Sequence, residues 1–302
     1  MKPLIKPIVD KKGMKRFIKS QWNFYENDEN FVPPMIADRM KLLDKEKNPF
    51  FKHADMQCFI AENEGKIVGR IAAITNGNHN RTHNDNVGFF GFFECINDQE
   101  VANELFDTAA HWLRENGKDF MRGPMNPSQN DECALLIEPF DEPPTILMPY
   151  NPKYYMDLIT NYGFKKAKDL YAYLMKYDNY RTPKLERIQN ALEERYNITT
   201  RNVNFKDKEQ FRKDVDTIKN IYNAAWEPNW GFVKMTDEEF DFLAEDLKQV
   251  AEPELAFIVE SDGEPAGFAL GIPDINQLLI NNKKGGTLGA ALHRRGGGCA
   301  GA

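Results

Sequence analysis

The side chains able to do chemistry fall in a few short stretches. Glu94 stands in an otherwise apolar run, Val87–Ile96 (VGFFGFFECI), among four phenylalanines. Regular alternation puts it on one face with Phe90 and Phe92. A carboxyl desolvated there has its pKa raised toward the range useful to a general base. The alternative is a strand-end glutamate that reaches solvent or a basic partner. The loop Arg122–Glu132 gathers Arg122, Asn126, Ser128, Asn130, Asp131 and Glu132 around Pro124 and Pro127. Such density suits a substrate pocket, or equally a loop that satisfies its own polar groups in Asx-turns. Tyr150, Tyr154 and Tyr155 surround the start of a predicted helix and suit aromatic packing. His79, His83 and Asp85 carry the H-x-x-x-H spacing, but two such histidines converge on a metal only from a helix. Asn76–Asn86, rich in Asn, Gly and His, reads as an exposed loop, so no metal site is expected.

The positioning elements follow from periodicity. Val87–Ile96, apolar on both faces, belongs in the middle of a covered sheet. It runs into an amphipathic helix from about Asp98 to Asn116, closed by Gly117. Before it come a strand at residues 4–9 and a helix over Lys11–Tyr25. A second helix through Ile36, Met40 and Leu43 precedes two strands, Met56–Glu62 and Lys66–Thr75, joined by Asn63-Glu64-Gly65 as a hairpin. After it come a strand from Phe120, short extended pieces at Leu135–Ile137 and Thr145–Met148, a helix Pro152–Tyr162 and a strand Phe164–Met175. The order predicts a mixed α/β (α+β) sheet architecture. Gly88 and Gly91 mark either a bulge and a close approach, or relief of crowding among the phenylalanines.

Composition bounds the class. The chain has 302 residues, 41% hydrophobic and 28% charged, with 21 Phe, which describes a globular protein. A net charge of −7 argues against nucleic acid or an anionic membrane as main partner. No apolar run approaches the roughly 20 residues of a membrane span, and MKPLIKPIVDKKG lacks a signal-peptide core. Four cysteines without a CxxC pair suit reduced thiols, and cytoplasmic is the expected location.

Beyond a polar linker at Tyr177–Thr182 the pattern partly recurs: helix Pro183–Tyr196, strand Ile198–Asn204, helices Glu209–Trp226 and Asp237–Val250, hairpin Leu255–Ile272. FIVESDGEPAGFALGI (257–272) aligns without gaps to FIAENEGKIVGRIAAI (59–74), and Phe232-Val233 precedes it as Phe31-Val32 precedes the first hairpin. The expected organisation is a complete domain at 1–177, a partial second copy at 178–282 and a tail at 283–302. From Gly285 the last 18 residues include seven Gly and four Ala. Such a tail should be flexible, and the second copy is expected to be truncated or to end in an altered reading frame.

Strand, two helices, hairpin, strand, helix, strand, helix, strand resembles the order of the GCN5-related N-acetyltransferase (GNAT) superfamily. The hairpins E-N-E-G-K-I-V-G (62–69) and E-S-D-G-E-P-A-G (260–267) and the closing Asn161-Tyr162-Gly163-Phe164 carry that resemblance. It implies a tandem acyl-CoA N-acyltransferase-like fold that moves an acyl group from acetyl- or acyl-coenzyme A, as co-substrate and not resident cofactor, to an amine of a small molecule or peptide. It implies Glu94, Tyr154 and Tyr155 as catalytic groups, a tyrosine of the last helix protonating the departing thiolate, although the usual position holds Ile159. It implies Phe93, Cys95, Ile96, Asn97 and Asn151 at the coenzyme. The family's Arg/Gln-x-x-Gly-x-Gly/Ala turn is missing: Cys95-Ile96-Asn97-Asp98-Gln99-Glu100 has no Gly and no Arg, and its acids favour a helix start while repelling a pyrophosphate. Arg295–Ala300 fits that pattern literally, but with no helix behind it. Two rivals follow: a transferase using aminoacyl-tRNA, and a non-catalytic ligand-binding or interaction module on a degenerate fold.

Overall fold

A computed structural model describes residues 2–176 and 182–286. The described chain divides into two compact units: one takes in the residues up to Lys165 and those from Asp274, the other is Lys166–Pro273.

The first unit is built on a five-stranded sheet in the order β1-β2-β3-β4-β5. Its strands are β1 (Leu4–Pro7), β2 (Ala54–Asn63), β3 (Lys66–Asn76), β4 (Val87–Cys95) and β5 (Phe120–Arg122). The first four are mutually antiparallel and β5 lies parallel to β4. Every residue of β4 is buried, as its two-sided apolarity requires. One face packs under α4 (Gln99–Glu115), where Phe90, Phe93, Phe106 and Leu113 join a single core cluster. The other face packs under α1 (Lys11–Lys19) and α2 (Ile36–Leu42), through Phe17, Ile18, Phe89 and Phe92. Asp98 caps α4 by accepting from the N–H groups of Glu100 and Val101 at 2.9 and 3.3 Å.

A bulge interrupts β4 where it faces β3: Arg70 pairs with Glu94 but Ala72 pairs with Gly91. Phe92 takes φ +49° there, and the extra residue resets the alternation. Glu94 therefore shares a face with Phe92 and not with Phe90, which a regular strand would have placed beside it. Gly91 is required by approach, because a Cβ there would collide with the Met125 carbonyl of the short strand β6 (Met125–Asn126). β6 pairs with β7 (Glu132–Cys133).

Other differences from expectation have local causes. Asn76–Asn86 is no loop: Gly77–His83 forms a helix, α3, because the Asn76 side chain accepts from the His79 N–H and Asn84 closes it with φ +49°. Propensity alone does not announce that helix. Leu135–Ile137 and Thr145–Met148 are irregular, and the expected strand Phe164–Met175 does not form. Ring contacts absorb Phe164 at 5.1 Å from Phe90 and from Phe106, while Leu170–Met175 stays exposed or half-exposed. The helix α5 begins at Tyr155, not at Pro152, and ends at Gly163 with φ +112°.

The second unit holds α6 (Pro183–Tyr196), α7 (Lys208–Trp226) and α8 (Asp237–Leu247). Its antiparallel sheet is β8 (Ile198–Asn202), β9 (Ala256–Ser261) and β10 (Glu264–Leu270), in the order β10-β9-β8. Asp214, fully buried, accepts from Arg201 Nη1 at 2.8 Å, Gln210 Nε2 at 2.9 Å and the Asn204 N–H at 2.9 Å.

From Asp274 the chain rejoins the first unit. Asp274 accepts from the Ile146 N–H at 3.0 Å, and the Lys283 carbonyl accepts from Trp22 Nε1 at 2.7 Å. The Gly285 carbonyl accepts from the Ile36 N–H at 3.0 Å. Lys283–Gly286 is thus docked, whereas the rest of the expected tail, with Arg295–Ala300 and Cys299, lies outside the described residues. Among the described residues no helix is long and apolar enough to cross a membrane.

Candidate active site

Where β4 ends beyond its bulge, the first unit opens a cleft of about 630 Å³, counting its mouth. Its apolar wall includes Phe17, Ile18, Leu43 and Phe92; its polar groups include Arg70, Glu94, Arg39 and Glu132. Glu94, 4% exposed, is the centre of this arrangement. Its Oε2 accepts from Tyr155 Oη at 2.7 Å and Tyr25 Oη at 2.9 Å, and its Oε1 lies 3.3 Å from Arg70 Nη2. Burial pushes the Glu94 carboxyl above the usual range, against the opposing pull of Arg70 and the two hydroxyls. Tyr155 and Tyr25 are raised well above an ordinary phenol, first by burial and then by the Glu94 charge, so both stay protonated donors.

Local geometry fixes each of these groups. Arg70 comes from the middle of β3, directly across from Glu94. Tyr25, just past α1, stacks on Phe31 with centroids 4.3 Å apart and planes 5° off parallel. Tyr155 opens α5, and its Oη also accepts from the Cys95 N–H at 2.9 Å. Asn126 holds the bulge: its Oδ1 accepts from the Phe92 N–H at 2.6 Å, and its Nδ2 donates to Glu132 Oε1 at 3.3 Å. Glu132 in turn meets Arg39 Nη2 at 2.6 Å, which gives the cleft a second ion pair.

The structure thus gathers Glu94, Tyr155, Asn126, Glu132, Phe93 and Asn151 at the cleft. Tyr150 lines the cleft too, and several of the singled-out residues, Phe93 and Asn151 among them, are engaged by neighbours. Tyr154 Oη donates to the Cys95 carbonyl at 2.7 Å, so both backbone groups of Cys95 are engaged by tyrosines. The Ile96 N–H bonds the Val68 carbonyl at 3.0 Å and Asn97 is exposed, which leaves that turn no open amide at 95 or 96 for a coenzyme. Phe93 stacks on Phe106 at 4.6 Å. Asn151 clips the backbone of Leu136, accepting at 2.7 Å and donating at 3.3 Å. Ser128 Oγ donates to Asp131 Oδ2 at 2.5 Å and accepts from the Asn130 N–H at 3.1 Å, a self-satisfied turn. Arg122 lies 3.5 Å from His79 Nε2. His79, on α3, is buried with its ring 4.4 Å from His83, and among the described residues no group of metal-ligating side chains converges.

Sequence reasoning missed Arg70, Arg39 and Tyr25. Arg70 carried a signal, a lone charge inside the apolar run Ile67–Ile74, which in a covered strand demands a buried partner. Arg39 and Tyr25 carried none, because only tertiary packing brings them to Glu94 and Glu132.

By its own topology the first unit has the GNAT-like acyl-CoA N-acyltransferase fold. The antiparallel β1–β4, the α4 crossover to parallel β5 and the closing α5 follow the expected order as far as its last strand, which does not form. No family model matches the chain. It is 32% identical over 279 residues to Protein YghO of Escherichia coli (strain K12), covering 92% of this chain and 70% of that one. It is 34% identical over 280 residues to the Bacterial ceramide synthase of Caulobacter vibrioides, covering 92% and 71%. The chain belongs to the family of these two proteins. Among solved structures, a tandem GNAT protein from the clavulanic acid biosynthesis pathway overlaps 94% of this chain and 88% of its own, at 8% identity and TM-score 0.44. An aminoglycoside acetyltransferase, meta-AAC0020 from an uncultured soil metagenomic sample, overlaps 58% and 97%, at 14% identity and TM-score 0.37. At those scores the fold assignment rests on the strand order, not on the superpositions.

Proposed function

We propose that the chain is an N-acyltransferase whose first unit joins an acyl thioester to the amine of a small lipophilic amino alcohol. The observation that carries this reading is the buried Glu94 carboxylate, held by two phenols in a cleft that sets an apolar wall of Phe17, Ile18, Leu43 and Phe92 against a polar one. Kinship with a bacterial ceramide synthase supports the substrate class, since a ceramide is the amide of a long-chain amino alcohol. The step then needs little of the protein. The amine nitrogen attacks the thioester carbon as its proton passes to Glu94. The tetrahedral intermediate expels the thiolate, which recovers that proton as the amide forms. Burial gives Glu94 the basicity for the first transfer, and Tyr25 and Tyr155 orient it. The Asp98 cap occupies the start of α4, so the nucleotide end of a coenzyme A donor would find its partners elsewhere.

The same cap favours the rival of a module that binds ligand without turnover. Thiol release from palmitoyl-coenzyme A, with and without a sphingoid base, separates the two. Amine-dependent release supports acyl transfer; binding of the amine with no release supports the module.

A further inference from the structure

The Glu94 neighbourhood holds a second group that the acyl-transfer reading does not use. Arg70 is 4% exposed in the centre of the sheet. Its Nη1 donates to the carbonyls of Phe17 and Ile18, at 2.9 and 3.2 Å. These carbonyls lie in the last turn of α1, where Ser20 also donates to them, its Oγ to Phe17 O at 2.7 Å and its N–H to Ile18 O. Its Nη2 lies 3.3 Å from Glu94 Oε1, and the guanidinium centre sits 5.0 Å from the Phe17 ring centroid. These contacts fix the plane of the fork. Its Nε, buried, finds no acceptor among the described residues. A buried charged donor is costly to leave unmatched, so this N–H calls for an oxygen from a ligand. Arg70 lines the cleft beside Glu94. Its positive charge repels an ammonium, and a carbonyl oxygen that becomes anionic is the complementary partner.

We propose that Arg70 is a catalytic residue that holds the acyl carbonyl oxygen through its Nε–H while Glu94 takes the amine proton. This rests on the acyl-transfer reading. As the C–N bond forms, the carbonyl π pair moves onto the oxygen beside the guanidinium. As the C–S bond breaks, that pair returns and the oxygen leaves as the amide carbonyl. Base and oxyanion holder would then stand side by side across the β3–β4 pairing, set by the bulge that brings Glu94 opposite Arg70.

The test compares octanoyl-coenzyme A with S-octyl-coenzyme A, its thioether without the carbonyl, by calorimetric titration of the wild-type chain and R70K. The wild type is expected to bind the thioester about tenfold more tightly or better, the scale of one hydrogen bond to a charged donor. R70K keeps the charge but loses the fork, and is expected to bind the two alike, with kcat lower by about 10²-fold. A purely structural Arg70 would lower the Tm of R70K and leave the thioester preference intact, which overturns the inference. If R70K does not fold, the wild-type ratio decides, and equal affinities overturn it. A wild type that binds neither probe sinks the acyl-transfer reading and this inference with it, whereas equal binding to both sinks only the role of Arg70.

Discussion

Gly91→Ala probes the bulge that aims Glu94. A Cβ at Gly91 would overlap the Met125 carbonyl oxygen and stand 2.7 Å from its carbon and 3.0 Å from Asn126 Oδ1. Ordinary carbon–carbon contact is about 3.5–4.0 Å, so β6 must retreat by about 1 Å or more. That retreat breaks the 2.6 Å bond from the Phe92 N–H to Asn126 Oδ1, at a residue whose φ of +49° already needs outside support. Overpacking costs about 1–3 kcal/mol and a lost buried hydrogen bond about 1–3 kcal/mol, so about 2–6 kcal/mol together is expected. For a unit of this size each kcal/mol is worth about 2–4 °C, which predicts a fall in Tm of about 4–24 °C. Differential scanning calorimetry measures it. A G91A protein within about a degree of wild type would refute the account of the bulge, and with it the reason Glu94 faces the cleft.

Further outcomes follow from the same geometry. Tyr155→Phe removes one hydroxyl that serves both the Cys95 N–H and Glu94; urea unfolding should show a loss of about 1–3 kcal/mol. Burial lowers His79 to about 4 from 6.5, against the raising pull of Asp85. The folded chain then binds fewer protons than the unfolded chain between those values. Stability is therefore whole above about pH 6.5 and drains as pH falls toward 4, by at most about 3 kcal/mol. His79→Gln should flatten that part of the pH profile of the urea midpoint. Burial pushes the thiols of Cys58 and Cys95 up to about 12, so iodoacetamide at about pH 8 should leave both unmodified in the native chain and label them in denaturant, as read by mass spectrometry.

The sheet and its long helices were legible because their signals are local. The two-sided apolarity of Val87–Cys95, the Asn63-Glu64-Gly65 turn and the Asp98 cap each act within a few residues. What stayed hidden depends on packing. The α3 helix rests on a single Asn76 cap in a stretch of weak helix formers. The bulge at Gly91–Phe93 coincides with the close approach of Met125 to Gly91, and it reversed the parity that alternation assigned to Phe90. Phe164–Met175 has strand-like residues, yet Phe164 is consumed by the Phe90–Phe106 cluster and the rest is unpaired. Of the site, Glu94 was visible as a charge in an apolar run, whereas Tyr155 read as aromatic packing and was singled out only through the family resemblance. Arg70 and Tyr25 reach Glu94, and Arg39 reaches Glu132, only through contacts more than 20 residues distant in sequence.

The central claim is that Glu94 acts as a base on an amine in this cleft. Its most direct test is amine-dependent thiol release from palmitoyl-coenzyme A by wild type and E94Q, at matched Tm. The account predicts release that requires the sphingoid base and falls by about 10²-fold or more in E94Q. Release that ignores the amine, or an E94Q protein as fast as wild type, would contradict it.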